Sequence, residues 1–511
     1  MRVVILIIAL LYYALVINAL TSAAGKRRHI QYHNSQIKST SSYDDDDTLP
    51  EDNVMIIFRS PSHHTYGFIQ SNNEDKYDLP RVELRTFMHD EQQDIQFIPI
   101  NKDLQSTKQP KQLSRNQSKK KKKDVYKHNI PMMYWVKNST GDTIDHTIIA
   151  KATSHSILTH ATFAINKYYN ISDEVWKDAV PSSTTSTTDI IDLMDIIDMQ
   201  NPNMSGNDRI ELIQRIACLI KYDQLQCTDD LYKGEGRQPI IIHDIIHQQQ
   251  NNECIHHLYF GHRLSIGKAG TSGAPSRTLR RTNRGIMKKY ALKNRSVSNK
   301  VDYDTSTAME PEIGFLMINL ALAGTEDTTS SSLRVLDPCC GSGRLLLYAA
   351  ASGVSKLVGV DYNQNVYRDA GLEFERYNST PPIFIHGNVQ SPLSTEVLCT
   401  VNSFDAIVCD PPYGIGAPIL SGDTEKGEES INKETESRDI ISSIISIANK
   451  VLVKGGRLVF LLPVQGDSMS IPLEKILESD LEKNKLRLLE SSRLQRFSPT
   501  FARWLVCMEK C

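Results

Sequence analysis

From about residue 301 to the C-terminus, apolar positions follow a regular beat. Short, mostly apolar runs at 333–336, 357–360, 383–386, 406–409 and 457–462 alternate with longer stretches at 344–352, 364–377 and 438–451, where apolar side chains return every third or fourth position. The short runs read as strands and the longer ones as helices. Another helix precedes them: Ile313, Leu316, Met317, Leu320 and Ala323 share a face, Thr307 and Glu310 have capping-box spacing, and Pro311 falls in the first turn, where a missing N–H costs little. The alternation predicts an α/β domain over 301–511 whose parallel sheet is covered on both faces. Such sheets take ligands beyond the carboxyl ends of their strands.

The first 300 residues lack that beat. Val54–Phe58 and 95–100 read as strands, 101–127 as an insertion with lysines at 119–123, 131–136 as a strand, and 148–170 as an amphipathic helix before a Ser/Thr-rich break at 181–188. Strands mixed with helices over 53–232 predict an α+β region. The lysine run reads as a solvated loop ahead of an RNA contact or a sorting signal. His243, His247, Cys254, His256 and His257 invite a zinc reading, but they show no paired short spacing and the polar run 248–252 between them reads as loop, so no metal site is expected.

Residues 233–300 read as a basic linker. From Arg263 to Lys300 the chain holds Arg277, Arg280, Arg281, Arg284, Lys288 and Lys289 among its basic residues, and no Asp or Glu. Net charge over the 511 residues is only -2, so affinity for a polyanion must come from such a local patch, and this one predicts RNA contact.

Residues 3–20 are almost unbroken apolar sequence after Arg2, followed by Thr21, Ser22, Ala23 and Ala24. Three readings stay open for residues 1–25: a signal peptide, a membrane anchor through 3–20, or the first part of an organelle presequence. Lys26, Arg27 and Arg28 would hold an anchored chain with its C-terminal side in the cytoplasm. Routing to an organelle or a tether facing the cytoplasm ranks above secretion, with a plain cytoplasmic location as the alternative. Residues 26–52 read as a disordered spacer. Nine cysteines, an odd number without regular spacing, exclude a disulfide framework and place the chemistry in a reducing compartment.

Four motifs fall at the ends of the predicted strands. Asp337-Pro338-Cys339-Cys340-Gly341-Ser342-Gly343 is a glycine turn into a helix, but Leu346 stands where a dinucleotide fingerprint needs a third glycine. Asp361 ends the next strand, where a carboxylate can receive both ribose hydroxyls of a nucleoside or cap the following helix. Gly387-Asn388 follows the third strand, where Asn388 could meet an adenine edge or form an ordinary turn. Asp410-Pro411-Pro412-Tyr413-Gly414 follows the fourth. An aryl amine is a poor nucleophile because its lone pair is delocalised into the ring. The Asp410 carboxylate and the Pro411 carbonyl can hold its two N–H bonds, Pro411 and Pro412 fix the carbonyl's direction, and Tyr413 offers a face on which a flipped base stacks. The set predicts direct methyl transfer from S-adenosylmethionine to an exocyclic amine.

With Tyr259-Phe260-Gly261, the block from Lys289 to Arg295 and Thr307-Ala308-Met309-Glu310-Pro311-Glu312, these motifs resemble the tRNA guanosine 2-amino methyltransferases that modify position ten. The resemblance is good from His257 onward and faint over 53–232. It implies a class I Rossmann-like methyltransferase domain of seven strands, a ferredoxin-like and THUMP RNA-binding region before it, tRNA as substrate and, in eukaryotic members, a small zinc-binding activator subunit. It further implies that Asp337, Gly341 and Gly343 line the methionine part of the cofactor, Asp361 its ribose, and Asp410, Pro411, Pro412 and Tyr413 the target amine. Asn388 stands where the family commonly has Asp. Alternatives are an amino methyltransferase acting on rRNA guanine or on adenine in DNA or RNA, and a membrane-tethered RNA-binding protein without catalysis.

Overall fold

The computed structural model describes residues 54–59, 78–88, 95–100, 132–139, 144–179, 195–199, 204–219, 239–247, 254–268, 286–290, 309–323, 325, 332–363, 365–391, 396, 398, 403–412 and 433–511. The apolar run 3–20, the spacer 26–52, the insertion 101–127, the break at 181–188 and the capping residue Thr307 lie outside them.

Seven strands form the first sheet: β1 (Val54–Phe58), β2 (Ile95–Pro99), β3 (Met132–Asn138), β4 (Thr159–Ser172), β5 (Asp195–Asp198), β6 (Pro239–His247) and β7 (Cys254–Ile266), in the order β2-β3-β1-β4-β7-β6-β5. β1 is buried along its whole length because both faces of the sheet are covered. Val54, Ile56 and Phe58 pack with Leu84 and Met88 of α1 (Asp78–Met88) and Ile149 and Ala152 of α2 (His146–His155). Met55 and Ile57 point the other way, toward Phe163, Ile240 and Tyr259.

Two expectations are corrected here. The helix expected over 148–170 stops at Ser156, whose amide bonds back to the carbonyls of Ala152 and Thr153, and the chain continues as β4. Nearly every side chain in the first half of β4 is buried, so no alternation of polar and apolar residues betrays the strand. The linker expected from 233 contains β6 and β7, which pair antiparallel over Pro239↔His262 to His247↔Cys254, with β7 also paired to β4. His243 and His256 therefore face each other across neighbouring strands, Nε2 to Nδ1 at 3.0 Å, stacked on Trp176 of α3 (Asp173–Asp178). Asp198 lies 3.4 Å from His243 and Asp173 lies 3.4 Å from His256. Burial, then the neighbouring His243, pulls His256 down to about 4. Among the described residues no group of three or more His, Cys, Asp or Glu side chains is arranged to hold a metal ion.

A further helix, α4 (Gly206–Leu219), covers the β5–β6 side through Leu212, Ile213 and Ile216. After the short α5 (Ile286–Lys289), the second sheet comprises β8 (Arg334–Asp337), β9 (Lys356–Asp361), β10 (Ile383–His386), β11 (Phe404–Cys409), β12 (Leu452–Gln465), β13 (Leu486–Leu488), β14 (Arg493–Arg496) and β15 (Phe501–Lys510). Its order is β10-β9-β8-β11-β12-β15-β13, with β14 on β15. β8 to β12 are parallel, and β15 returns antiparallel along β12. The helices are α6 (Pro311–Leu322), α7 (Arg344–Ala351), α8 (Asn365–Arg376), α9 (Lys433–Val451), α10 (Leu473–Ile476) and α11 (Glu478–Lys483). The acid-rich stretch that follows the fourth motif supplies, from Lys433 on, the first turns of α9.

Every residue of α6 is buried, which follows from its apolar sequence on all sides. Glu310 takes the N-cap position without a side-chain capping bond, so the expected capping box does not form at that residue. One side of α6 meets the second sheet and another meets Leu79, Ile157 and Leu158 of the first region. At that contact the fully buried Glu83 of α1 accepts four hydrogen bonds: Ser156 Oγ at 2.7 Å, the Ile157 and Leu158 amides at 3.0 Å, and Asn319 Nδ2 of α6 at 2.7 Å. Burial pushes the Glu83 carboxyl up, and those donors pull it back. Arg59 lies 3.7 Å from Glu312 and donates to the Ile157 carbonyl at 3.1 Å.

Replacing a carboxylate that receives four donors leaves at least one of them facing another donor. Glu83→Gln should therefore cost about 3 kcal/mol of stability, read as a lower urea midpoint at unchanged slope. An unchanged midpoint would show that Glu83 does not bind the two regions together.

Candidate active site

Strand order reverses direction at β8, which has β9 on one side and β11 on the other. Chains leaving adjacent strands in opposite directions open a crevice beyond their carboxyl ends, and ligands of open α/β sheets bind there. The expected site residues lie along that edge. Asp337 ends β8, Asp361 ends β9, Gly387 and Asn388 follow β10, and Asp410 follows β11. Register aligns these ends, with Asp337 beside Gly359 and His386 beside Asp361.

The glycine loop is tied down on its inner side and open on its outer side. The Cys340 amide donates to the Val360 carbonyl at 2.9 Å, the Gly343 amide to the Cys340 carbonyl at 2.7 Å, and the Gly341 amide to Asp361 Oδ2 at 2.8 Å. Gly341 and Gly343 have φ of 45° and 72°, a region that residues with a Cβ rarely enter. A Cβ at Gly341 would meet nothing within 4 Å, so a ligand can reach the backbone there. Cys340 packs into the core beneath the loop, and a Cβ at Gly359 would stand 2.8 Å from its sulfur. Gly359 is a requirement of the loop that the sequence reading missed, because its reason lies on the neighbouring strand.

Asp361 Oδ1 accepts from the Asn363 amide at 2.9 Å, a turn ahead of α8, while Oδ2 braces the glycine loop. Asn388 Oδ1 accepts from the Gln390 amide at 3.0 Å, so the side chain shapes a turn at the edge. Pro411 is buried and Pro412 half-buried, while Tyr413 lies outside the described residues. Cys409 is buried against Cys339, which carries the end of β11 onto the glycine loop.

Charge is the distinctive property of this edge. Asp337 is buried, and its carboxyl is held well above the usual carboxylate range by burial first, opposed by a bond from the Cys339 amide, and raised further by Asp361 and Asp410. Three carboxylates thus crowd one crevice, an arrangement that favours a cation held among them. The nearest arginine on the loop's helix, Arg344, is engaged elsewhere, 3.5 Å from Glu373 of α8.

The basic segment is only partly placed. Arg277, Arg280, Arg281 and Arg284 lie outside the described residues, and Lys288 is in α5 without a described side chain. Lys289 is exposed, with Nζ 5.1 Å from the Tyr290 ring centroid. Tyr290 is buried and stacks on Tyr377 at 4.5 Å, which anchors the segment to the second sheet's helices. Lys268 is largely buried near Glu83, so it serves the fold.

Sequence comparison agrees with this edge. Residues 300–486 match the UPF0020 family, described as RMKL-like, methyltransferase domain. The chain is 29% identical over 278 residues to the tRNA (guanine(10)-N(2))-methyltransferase TRMT11 of Dictyostelium discoideum, covering 50% of this chain and 46% of that protein. It is 28% identical over 202 residues to the tRNA (guanine(10)-N2)-dimethyltransferase of Methanocaldococcus jannaschii, covering 39% of this chain and 50% of that one. The chain spans about half the length of the curated relatives it matches. Among solved structures, TrmN from Thermus thermophilus aligns over 70% of this chain and 84% of its own at 14% identity and a TM-score of 0.32.

The raised Asp337 carboxyl sets a pH dependence. A folded-state pKa above the unfolded value means that the group's contribution to stability is present at low pH and lost as pH rises through the folded pKa. Asp337→Asn removes that loss, so the variant should gain on the parent in thermal midpoint as pH is raised from the acid side. A constant difference across pH would show that its surroundings do not raise the Asp337 carboxyl. Gly359→Val should cost about 1–3 kcal/mol by overpacking against Cys340, read by denaturant unfolding, and a neutral result would contradict the packing described.

Proposed function

We propose that this chain, which belongs through its C-terminal half to the tRNA guanine(10)-N2-methyltransferase family, methylates the exocyclic 2-amino group of a guanosine in tRNA with S-adenosylmethionine as donor. One observation carries the reading. Asp337, Asp361 and Asp410 converge at the switch point of the sheet, beside a glycine loop open on its outer side. A donor with a sulfonium and an ammonium suits that charge, and a nucleoside suits a carboxylate at Asp361. The residues present therefore fit the cofactor. When bound, it supplies a methyl group on positively charged sulfur.

The chain's own residues do the remaining work. Gly341 and Gly343 let the backbone approach the donor, Asp337 offsets its positive charge, and Asp361 and Asn388 lie where ribose and base would rest. The Asp410 carboxylate and the Pro411 carbonyl accept the two N–H bonds of the guanine amine, holding the lone pair toward the methyl carbon. Acceptors also suit the positive charge that develops on nitrogen as it attacks, and the surplus proton leaves after transfer. Tyr413, following Pro412 in the chain, supplies the stacking face for the flipped base.

In this reading the first sheet and its helices are the α+β, THUMP-like region that grips RNA, and α6 with Glu83 and Arg59 holds it against the catalytic sheet. Arg277, Arg280, Arg281, Arg284, Lys288 and Lys289 contact phosphates. A small zinc-binding activator subunit and routing or tethering through 3–20 belong to the same proposal. The first is supported by the family resemblance and the second by the apolar run. Among the described residues no helix is long and apolar enough to cross a membrane.

The test is incubation of the full chain, alone and with an activator subunit, with methyl-labelled cofactor and separate tRNA, rRNA and DNA pools, followed by nucleoside mass spectrometry. N2-methylguanosine in tRNA is expected. Label only in rRNA guanine or in adenine would replace this substrate with another, and no label in any pool would favour an RNA binder without catalysis. Asp410→Ala should lower turnover by about 100-fold or more while RNA binding persists.

A further inference from the structure

The last hairpin of the second sheet has no part in the chemistry above. From 491 to 504 it holds Arg493, Arg496 and Arg503 and no Asp or Glu, in contrast to the carboxylates of the crevice. Phe497 stands at its turn with 51% of its surface exposed. The ring stacks on Phe501, centroids 5.4 Å apart and planes 28° from parallel, and the Arg503 guanidinium lies 4.9 Å from its centroid. Both supports come from alternate positions on one face of β15, and half of the Phe497 surface stays open to solvent.

This platform is rigid. The Phe497 and Ser498 amides both donate to the Phe501 carbonyl, at 3.0 and 3.1 Å, and the Gly466 amide at the end of β12 donates to the Thr500 carbonyl at 3.1 Å. Arg503 Nε is fixed by Gln495 Oε1 at 2.5 Å, and Gln495 is buried. Among the described residues that is the only side-chain hydrogen bond of Arg503, so its two terminal nitrogens can meet an anion.

Register puts the platform on the rim of the catalytic edge. Phe501 pairs with Gln465, five residues beyond Phe460, and Phe460 is the partner of Cys409 next to Asp410. At strand spacings the hairpin therefore rises about 13 Å past Asp410 and stands about 10 Å to its side. That is too far to touch the target amine, and it suits another part of the same substrate.

We propose that Phe497, with Arg503 beside it, is a stacking site for an unpaired base of the substrate RNA other than the one methylated, with the arginine on the adjoining phosphate. The inference rests on the proposed function and adds a specificity-determining contact outside the catalytic crevice. An aromatic face accepts any base, an arginine that already packs on the ring strengthens it, and a hairpin that needs no reordering loses little entropy on binding.

The test uses the full chain and its tRNA, with binding and methylation measured in parallel. Phe497→Ala should raise the KM for tRNA about tenfold and leave kcat and cofactor affinity unchanged. Phe497→Trp should keep the parent KM, because it keeps a π face, and Phe497→Leu should behave like Phe497→Ala. Arg503→Gln should reduce the slope of log affinity against log salt by about 1. An unchanged KM in Phe497→Ala overturns the proposal. So does a Phe497→Leu variant equal to the parent, which would make the site an apolar contact for a protein instead. If the parent chain neither binds nor methylates RNA, the proposed function fails and this site with it; if the parent is active and only the Phe497 variants are silent, this inference alone fails.

Discussion

Asp337 sits buried at the end of β8 with Asp361 and Asp410 on either side, and much of the second sheet can be understood from that crowding. Isolated negative charges in a dry interior are costly, and the cost is carried by the fold because the strand order leaves no other place for the three strand ends. Each carboxylate is aligned by elements that have no charge of their own. Gly359 makes room for Cys340, Cys340 lets the loop turn, the loop offers its Gly341 amide to Asp361, and Cys339 against Cys409 brings the end of β11 alongside. Stability spent here is recovered only when something positive occupies the crevice, so binding and local order are linked at this edge.

A second buried carboxylate acts in the opposite sense. Glu83 is surrounded by donors, two of them backbone amides that end α2 and start β4, and one the Asn319 amide of α6. It fixes a turn within the first region and joins that region to the catalytic sheet in one network. With Arg59 and Glu312 nearby, the contact is polar at its centre and apolar at its border, where Leu79, Ile157 and Leu158 enter the core of α6. Such a joint is specific in register, since sliding α6 by one turn would carry Asn319 away from Glu83. The first sheet is thereby held against the second.

These same two sites mark what the sequence could and could not reveal. The strand ends bearing Asp337, Asp361 and Asp410 were legible because a parallel sheet buries continuous apolar runs and places polar ligand-facing residues directly after them. The strand β4 was not, because its early residues are buried on both faces and follow a helical stretch without a proline or glycine. What ends that helix is Glu83, far away in the chain, and no local propensity contains it. β6 and β7 were passed over for a related reason: their histidines drew attention to metal ligation, while Ile240, Ile241, Ile242, Leu258, Tyr259 and Phe260 form two interior strands of the sheet. The return strand β15 also went unread, since its Arg503, Glu509 and Lys510 interrupt the apolar pattern at the rim where it leaves the core.

That rim is where the charge of the second sheet changes sign. The crevice is acidic, whereas the hairpin beyond β12 carries three arginines without an acid, and the segment anchored by Tyr290 carries basic residues without an acid. A polyanion would be repelled by the crevice alone and attracted to its surroundings. In the proposed function a neutral base turned out of its strand enters beside the positively charged donor while its phosphates stay outside. Under the proposed function, the separation of charge itself selects which part of a nucleic acid comes to Asp410, before any base is read.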